Sequence, residues 1–178
     1  MKPETVMWLL PVMFMLHDFE EIILMRPWGL RFSAILNDRL PAPIRRMSNA
    51  TLNLSTPAFA FAVMLIYFLF AAVTLVCVEF NLYNFWTAIL IIYFVHLLLH
   101  IGQAIYLRNY VPAVITSVLT GIYSVVALVY AIRHFNLIWI GVLVDGVLAL
   151  AAVALALVGI VWLAQRVNTW IAGYEKGE

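Results

Sequence analysis

Residues 54–78 read LSTPAFAFAVMLIYFLFAAVTLVCV, a run without a single Asp, Glu, Lys, Arg or His. A helix needs about 20 mostly apolar residues to cross the hydrocarbon core of a bilayer. A barrel strand would alternate apolar and polar positions over about ten residues. This run is continuous, so it predicts a transmembrane helix, with Pro57 tolerated in the first turn. Working outward, similar runs predict spans at about 5–24, 85–107, 111–132 and 137–163. The expectation is an all-α polytopic membrane protein: a five-helix bundle forming one membrane domain over residues 1–178.

Composition agrees. The chain is 66% hydrophobic and 11% charged, with mean hydropathy +1.03. Soluble domains are about half apolar and about a quarter charged. A net charge of +1 gives no basic surface for nucleic acid. Cys77 is the only cysteine, which excludes an intrachain disulfide and a cysteine-cluster metal site. The N-terminus does not read as a signal peptide, because acids interrupt its apolar run.

The longest connection, 26–53, is rich in arginine and proline. Trp28, Phe32, Ile35, Leu36 and Leu40 recur there at helical spacing, with Arg31 and Asp38 on another face. A short interfacial helix or an ordinary loop would suit that pattern. The other connections are short, so sequence neighbours should pack antiparallel. With the N-terminus outside, Arg26, Arg31, Arg39, Arg45, Arg46, Arg108, Arg166 and Lys176 face the cytoplasm, leaving only Lys2 and Arg133 outside. The positive-inside rule therefore predicts N-out, C-in.

One stretch resists the membrane reading. His17-Asp18-Phe19-Glu20-Glu21 puts three acids and a histidine inside the first span. Each such charge costs at least about 2.5 kcal/mol near the bilayer centre. His17, Glu20 and Glu21 stand at i, i+3 and i+4, hence on one helix face. His96 and His100 form an i, i+4 pair in the third span, a spacing able to chelate one ion. Spans one and three run in the same direction, and these residues lie at matching depth. The expectation is one site built from His17, Glu20, Glu21, His96 and His100. It would hold a divalent metal, zinc before iron or manganese. A glutamate left off the metal would be the general base, so Glu20 and Glu21 are the candidate catalytic residues. Asp18, Tyr93, Gln103 and Asp145 are candidate supporting or proton-linked groups. Thr116, Ser117 and Thr120 either line a cavity or bond back to their own helix.

These residues resemble the HXXEE-motif family of small bacterial membrane proteins of uncharacterised function. The first stretch matches its signature, and His96 with His100 matches its later His-x-x-x-His. Arg108-Asn109-Tyr110-Val111-Pro112 looks like its short turn, where Pro-Gly often occurs. Ala113 stands here instead, which should stiffen the turn. The resemblance implies suspected catalytic or metal-binding residues and supplies no substrate. The function expected first is a metal-dependent intramembrane enzyme acting on a lipid or other apolar substrate, by hydrolysis before oxidation. A metal or proton transporter and a non-catalytic subunit of a membrane complex are the alternatives.

Overall fold

The computed structural model describes residues 1–39, 42, 45, 49 and 51–176. Five long helices are found among them: α1 (Pro3–Arg39), α2 (Thr56–Glu79), α3 (Tyr83–Leu107), α4 (Val114–His134) and α5 (Trp139–Lys176). Four of them, α2 to α5, are long and apolar enough to cross a membrane. The protein is thus an all-helical membrane protein. The fifth predicted span, within α1, does not qualify by composition. Its central residues Asp18, Glu20 and Glu21 lower its apolarity; Val6, Met7, Leu10 and Phe14 pack inward, while Val12, Leu16, Phe19 and Ile23 are exposed.

The interfacial helix expected after the first span is not a separate element. α1 continues without a break to Arg39, with Pro11 and Pro27 inside it. Trp28 Nε1–H donates to Tyr110 O at 2.6 Å, tying α1 to the α3–α4 turn. Leu40 and the side chains of Ile35 and Leu36 lie outside the described residues. α5 also outruns its predicted end at 163. At about 1.5 Å per residue, α1 and α5 are each about 55 Å long, well beyond a core about 30 Å thick.

Two ends can be told apart by hydrogen bonds. At the upper end Tyr130 Oη donates to Met1 O and Ile138 N to Asn84 Oδ1. At the lower end Trp28 reaches Tyr110, and Ser55 N donates to Asn168 Oδ1 at 2.7 Å. α1, α3 and α5 therefore run downward, and α2 and α4 upward. α3 is the hub: α4 and α5 pack closely on it, and α1 and α2 touch it too. α5 packs on α3 and α2 rather than on α4, its sequence neighbour. The short 135–138 connection fixes direction, not partnership, since Asn84 holds it over the end of α3.

The main core joins α1, α3 and α4 through Leu10, Phe14, Trp86, Leu90, Tyr93 and Ala127. Phe14 stacks on Phe70 at 4.4 Å, bringing in α2. A second core, Leu54, Ala58, Ala62, Ile160 and Ala164, joins α2 to the lower half of α5. Small side chains there let the backbones approach, the usual device where lipid removes the hydrophobic drive between helices. Ala164 is fully buried. Ala164→Leu is expected to destabilise the bundle by about 1–3 kcal/mol through overpacking, read as a lower unfolding midpoint in detergent.

Candidate metal centre

α1 packs chiefly on α2 and α4 and meets α3 across the bundle; both descend, so their polar residues meet level by level. His17 Nε2 lies 3.3 Å from His96 Nε2, and His96 Nε2 lies 3.2 Å from His100 Nε2. One turn lower on α1, Glu21 Oε1 lies 3.2 Å from His100 Nε2. Three of the four histidines of the chain thus converge, with one ligand nitrogen each, all within 4.8 Å of one another. His17 and His100 are buried, while His96 is exposed at the flank of α3.

Two features of this geometry fit a metal ion. With metal–nitrogen bonds of about 2.0–2.1 Å, the edge of a tetrahedron is about 3.3 Å, which is the spacing of the two nitrogen pairs. Hydrogen bonding can pair His17 Nε2–H with His96 and His100 Nε2–H with Glu21, but it leaves the 3.2 Å approach of His96 to His100 without a proton. An imidazole nitrogen either donates or accepts, once, in the ring plane. His96 Nε2 faces two other Nε2 atoms and can serve only one of them. A shared cation serves all three.

Glu20 is placed differently from Glu21. Its Oε2 accepts from Thr116 N at 2.8 Å and Thr116 Oγ1 at 2.7 Å. Its Oε1 accepts from Tyr110 Oη. Thr116 stands in the first turn of α4, whose N-cap residue Ala113 offers no side-chain cap. Glu20 therefore caps α4 from α1, where the helix dipole favours an anion. Tyr110 lies in the 108–113 turn. Burial, then its bond to Glu20, raises its phenol above the ordinary value, so it keeps its proton and donates.

Thr116 Oγ1 also lies 3.5 Å from His17 Nδ1. If its proton goes to the nearer Glu20 oxygen, the hydroxyl is left to accept from His17 Nδ1–H, which leaves Nε2 free as a ligand. A polar chain thus runs Tyr110–Glu20–Thr116–His17 from the lower surface to the cluster. Tyr110 was not among the expected site residues, and Thr116 was expected either to line a cavity or to bond back; it does reach Ala113 O at 3.2 Å besides holding Glu20. A helix starting at an uncapped alanine, in a chain with a spare buried carboxylate, was the available signal. Thr120 does bond back, to Thr116 O at 2.8 Å.

The turn puts its alanine in a conformation that favours glycine. Ala113 adopts φ 69° and ψ 2°, the left-handed region. That conformation costs a non-glycine residue about 1–2 kcal/mol, so the Pro-Gly pattern suits this backbone better than Pro112-Ala113.

Of the supporting candidates, Tyr93 is closest to the cluster. Its Oη donates to Met13 O at 3.1 Å and its ring meets His17 edge-on at 6.1 Å. Asp18 is buried beside the cluster on α1. Gln103 is exposed on α3, below His96. Asp145 stands apart. Its neighbour Gly146 meets Ala88, two turns above His96, about 12 Å by helix rise.

A transmembrane helical bundle carrying H-x-x-E-E on one helix and H-x-x-x-H on the next but one along the chain is the class this fold and site define. The family described as "Protein of unknown function with HXXEE motif" matches residues 8–130, and the chain belongs to it. That match covers α4 up to Tyr130 and therefore every residue of the cluster and its cap. Neither a curated protein nor a solved structure matches the chain.

Proposed function

We propose that the protein is a metal-dependent intramembrane enzyme acting on a lipid or other apolar substrate. The observation that carries this reading is the convergence of three imidazole nitrogens within 4.8 Å of one another, two of the pairs at tetrahedral spacing, within a membrane bundle. His17, His96 and His100 would hold one divalent ion, zinc before iron or manganese, since nitrogen donors outnumber carboxylates. Such an ion supplies Lewis acidity and makes a water molecule acidic enough to react near neutral pH. Glu21, held at His100, is either a fourth ligand or the general base. Glu20, with both oxygens engaged at the start of α4, positions α1 against α4. The polar chain from Tyr110 to His17 offers water and protons a way in from one surface. Hydrolysis is the reaction this combination suits first, and metal-dependent oxidation second.

α1 is the fifth span in this reading. Its acids face the cluster and the cap rather than lipid, which is how charged residues are accommodated in membranes. The arginine asymmetry places the lower end in the cytoplasm and the N-terminus outside, in a bacterial cytoplasmic membrane. The deciding experiment is metal analysis of the full chain purified without chelators. About one ion per chain is expected, as a site with three or four ligands holds. Metal-free protein that also fails to take up zinc would overturn the proposal.

A further inference from the structure

α3 meets α5 along a single stripe at the upper end. Asn84 holds Ile138 N and approaches Gly141, and Ala88, buried, meets Gly146. At helical spacing that stripe continues downward as Val95, Leu99, Gly102 and Tyr106. Those four are exposed: Val95 is 49%, Leu99 58% and Tyr106 63% exposed, and a Cβ built on Gly102 would meet nothing within 4 Å. α5 has left α3 by this level. Its lower half packs instead on α2, through Ile160 and Ala164 against Ala58 and Ala62, and through Asn168 at Ser55. The two downward helices therefore splay. They leave a wedge open to the bilayer below Ala88, along the exposed Val95, Leu99 and Tyr106.

His96 sits on the edge of that wedge, beside Val95 and Leu99, and is the exposed member of the histidine cluster. The opposite wall is the middle of α5, where residues 151–159 are all exposed except the half-buried Val153 and Ala156. A second groove, about 380 Å³ and lined by Phe94, Leu98, Ser117 and Gly121, lies between α3 and α4. It faces away from His96 and gives no access to the cluster.

We propose that the wedge between the lower halves of α3 and α5 is a lateral portal that admits the acyl chain of a bilayer lipid and brings it to His96. The walls are apolar and open sideways into hydrocarbon, the environment of an acyl chain and not of a polar solute. His96 lies about 16 Å by helix rise from the end of α3 at Leu107, a depth that lipid tails occupy. Aqueous reactants have the separate Tyr110–Glu20–Thr116 side. What happens at His96 rests on the metal reading above; the portal rests on the splay alone.

The test uses the full chain in vesicles of phosphatidylethanolamine and phosphatidylglycerol, doped with a phosphatidylcholine carrying a diazirine at mid-chain. Photolysis and peptide mapping should show adducts at Val95, His96 and Leu99 several-fold above those at Leu143 and Val147, which are ordinary exposed positions on α5. Gly102→Trp, at a position where an added Cβ meets nothing within 4 Å, should lower those adducts to the level of Leu143 while the metal content stays that of wild type. Equal labelling at both sets of positions would overturn the portal. So would adducts at Val95 and Leu99 weaker than those at Leu143, because a second copy rather than lipid would then fill the wedge. Preferential labelling in a protein that binds no metal would uphold the portal and remove only the reading of the cluster.

Discussion

His17→Ala and His96→Ala proteins are expected to lose the bound ion, and His134→Ala to keep it. Each of the first two removes one of three converging nitrogens, leaving two nitrogens and at most Glu21 beside them. Outer-shell changes alone lower metal affinity about 10–100-fold, so removing a ligand should exceed that range. His134 is the matched control. It is exposed at the upper end of α4, stacked on Tyr130 at 4.2 Å, and far from the cluster. Titration with zinc gives a second readout. Ligand present at a thousandfold over its dissociation constant stabilises a fold by about 4 kcal/mol. Wild type and His134→Ala should therefore unfold at higher temperature when zinc is added, whereas the two site variants should not respond. Unchanged zinc binding in His17→Ala would exclude the three-histidine centre.

The adjacent glutamates should separate cleanly. Glu20→Gln keeps an acceptor but removes the negative charge at the start of α4, and it gives Tyr110 and Thr116 one oxygen where they had two. A helix-terminal charge contributes up to about 2 kcal/mol when partly buried, and a hydrogen bond to a charged group about 1.5–3 kcal/mol. The expected result is a lower unfolding midpoint with metal stoichiometry retained. Glu21→Gln touches only the His100 side. It should leave the apo-protein midpoint near wild type and weaken zinc by about tenfold or more if Glu21 supports or completes the site. The opposite pattern, with Glu20 governing metal and Glu21 governing stability, would reverse the roles assigned here.

Much of this was legible in the chain. Long charge-free runs leave backbone groups no partner but their own helix in lipid, so α2 to α5 could be placed from composition. The depth match between His17 and His96 followed from two helices of the same direction and a constant rise per residue. Other features were not legible. α1 reads as a span plus a polar connection, because a helix that turns its acids inward has the same composition as one that ends. Glu20 and Glu21 are chemically identical neighbours on the same face. Only the turn of α4 against them, with Thr116 N and Tyr110 Oη in reach, gives one to the helix end and leaves the other to His100.

The charge-free run 54–78 and the HDFEE stretch at 17–21 mark the division. Local chemistry determined that the chain enters the membrane, that it does so as helices, and that five ligand-type residues share one depth. Burial and periodicity act along a single helix, so the sequence carries them in full. Which helices touch is settled by packing between segments far apart in the chain. That packing brought α1 against α4 and so made Glu20 a cap. It also drew the lower half of α5 to α2, because Ala58, Ala62 and Ala164 permit a close approach there. The opening beside His96 exists for that reason.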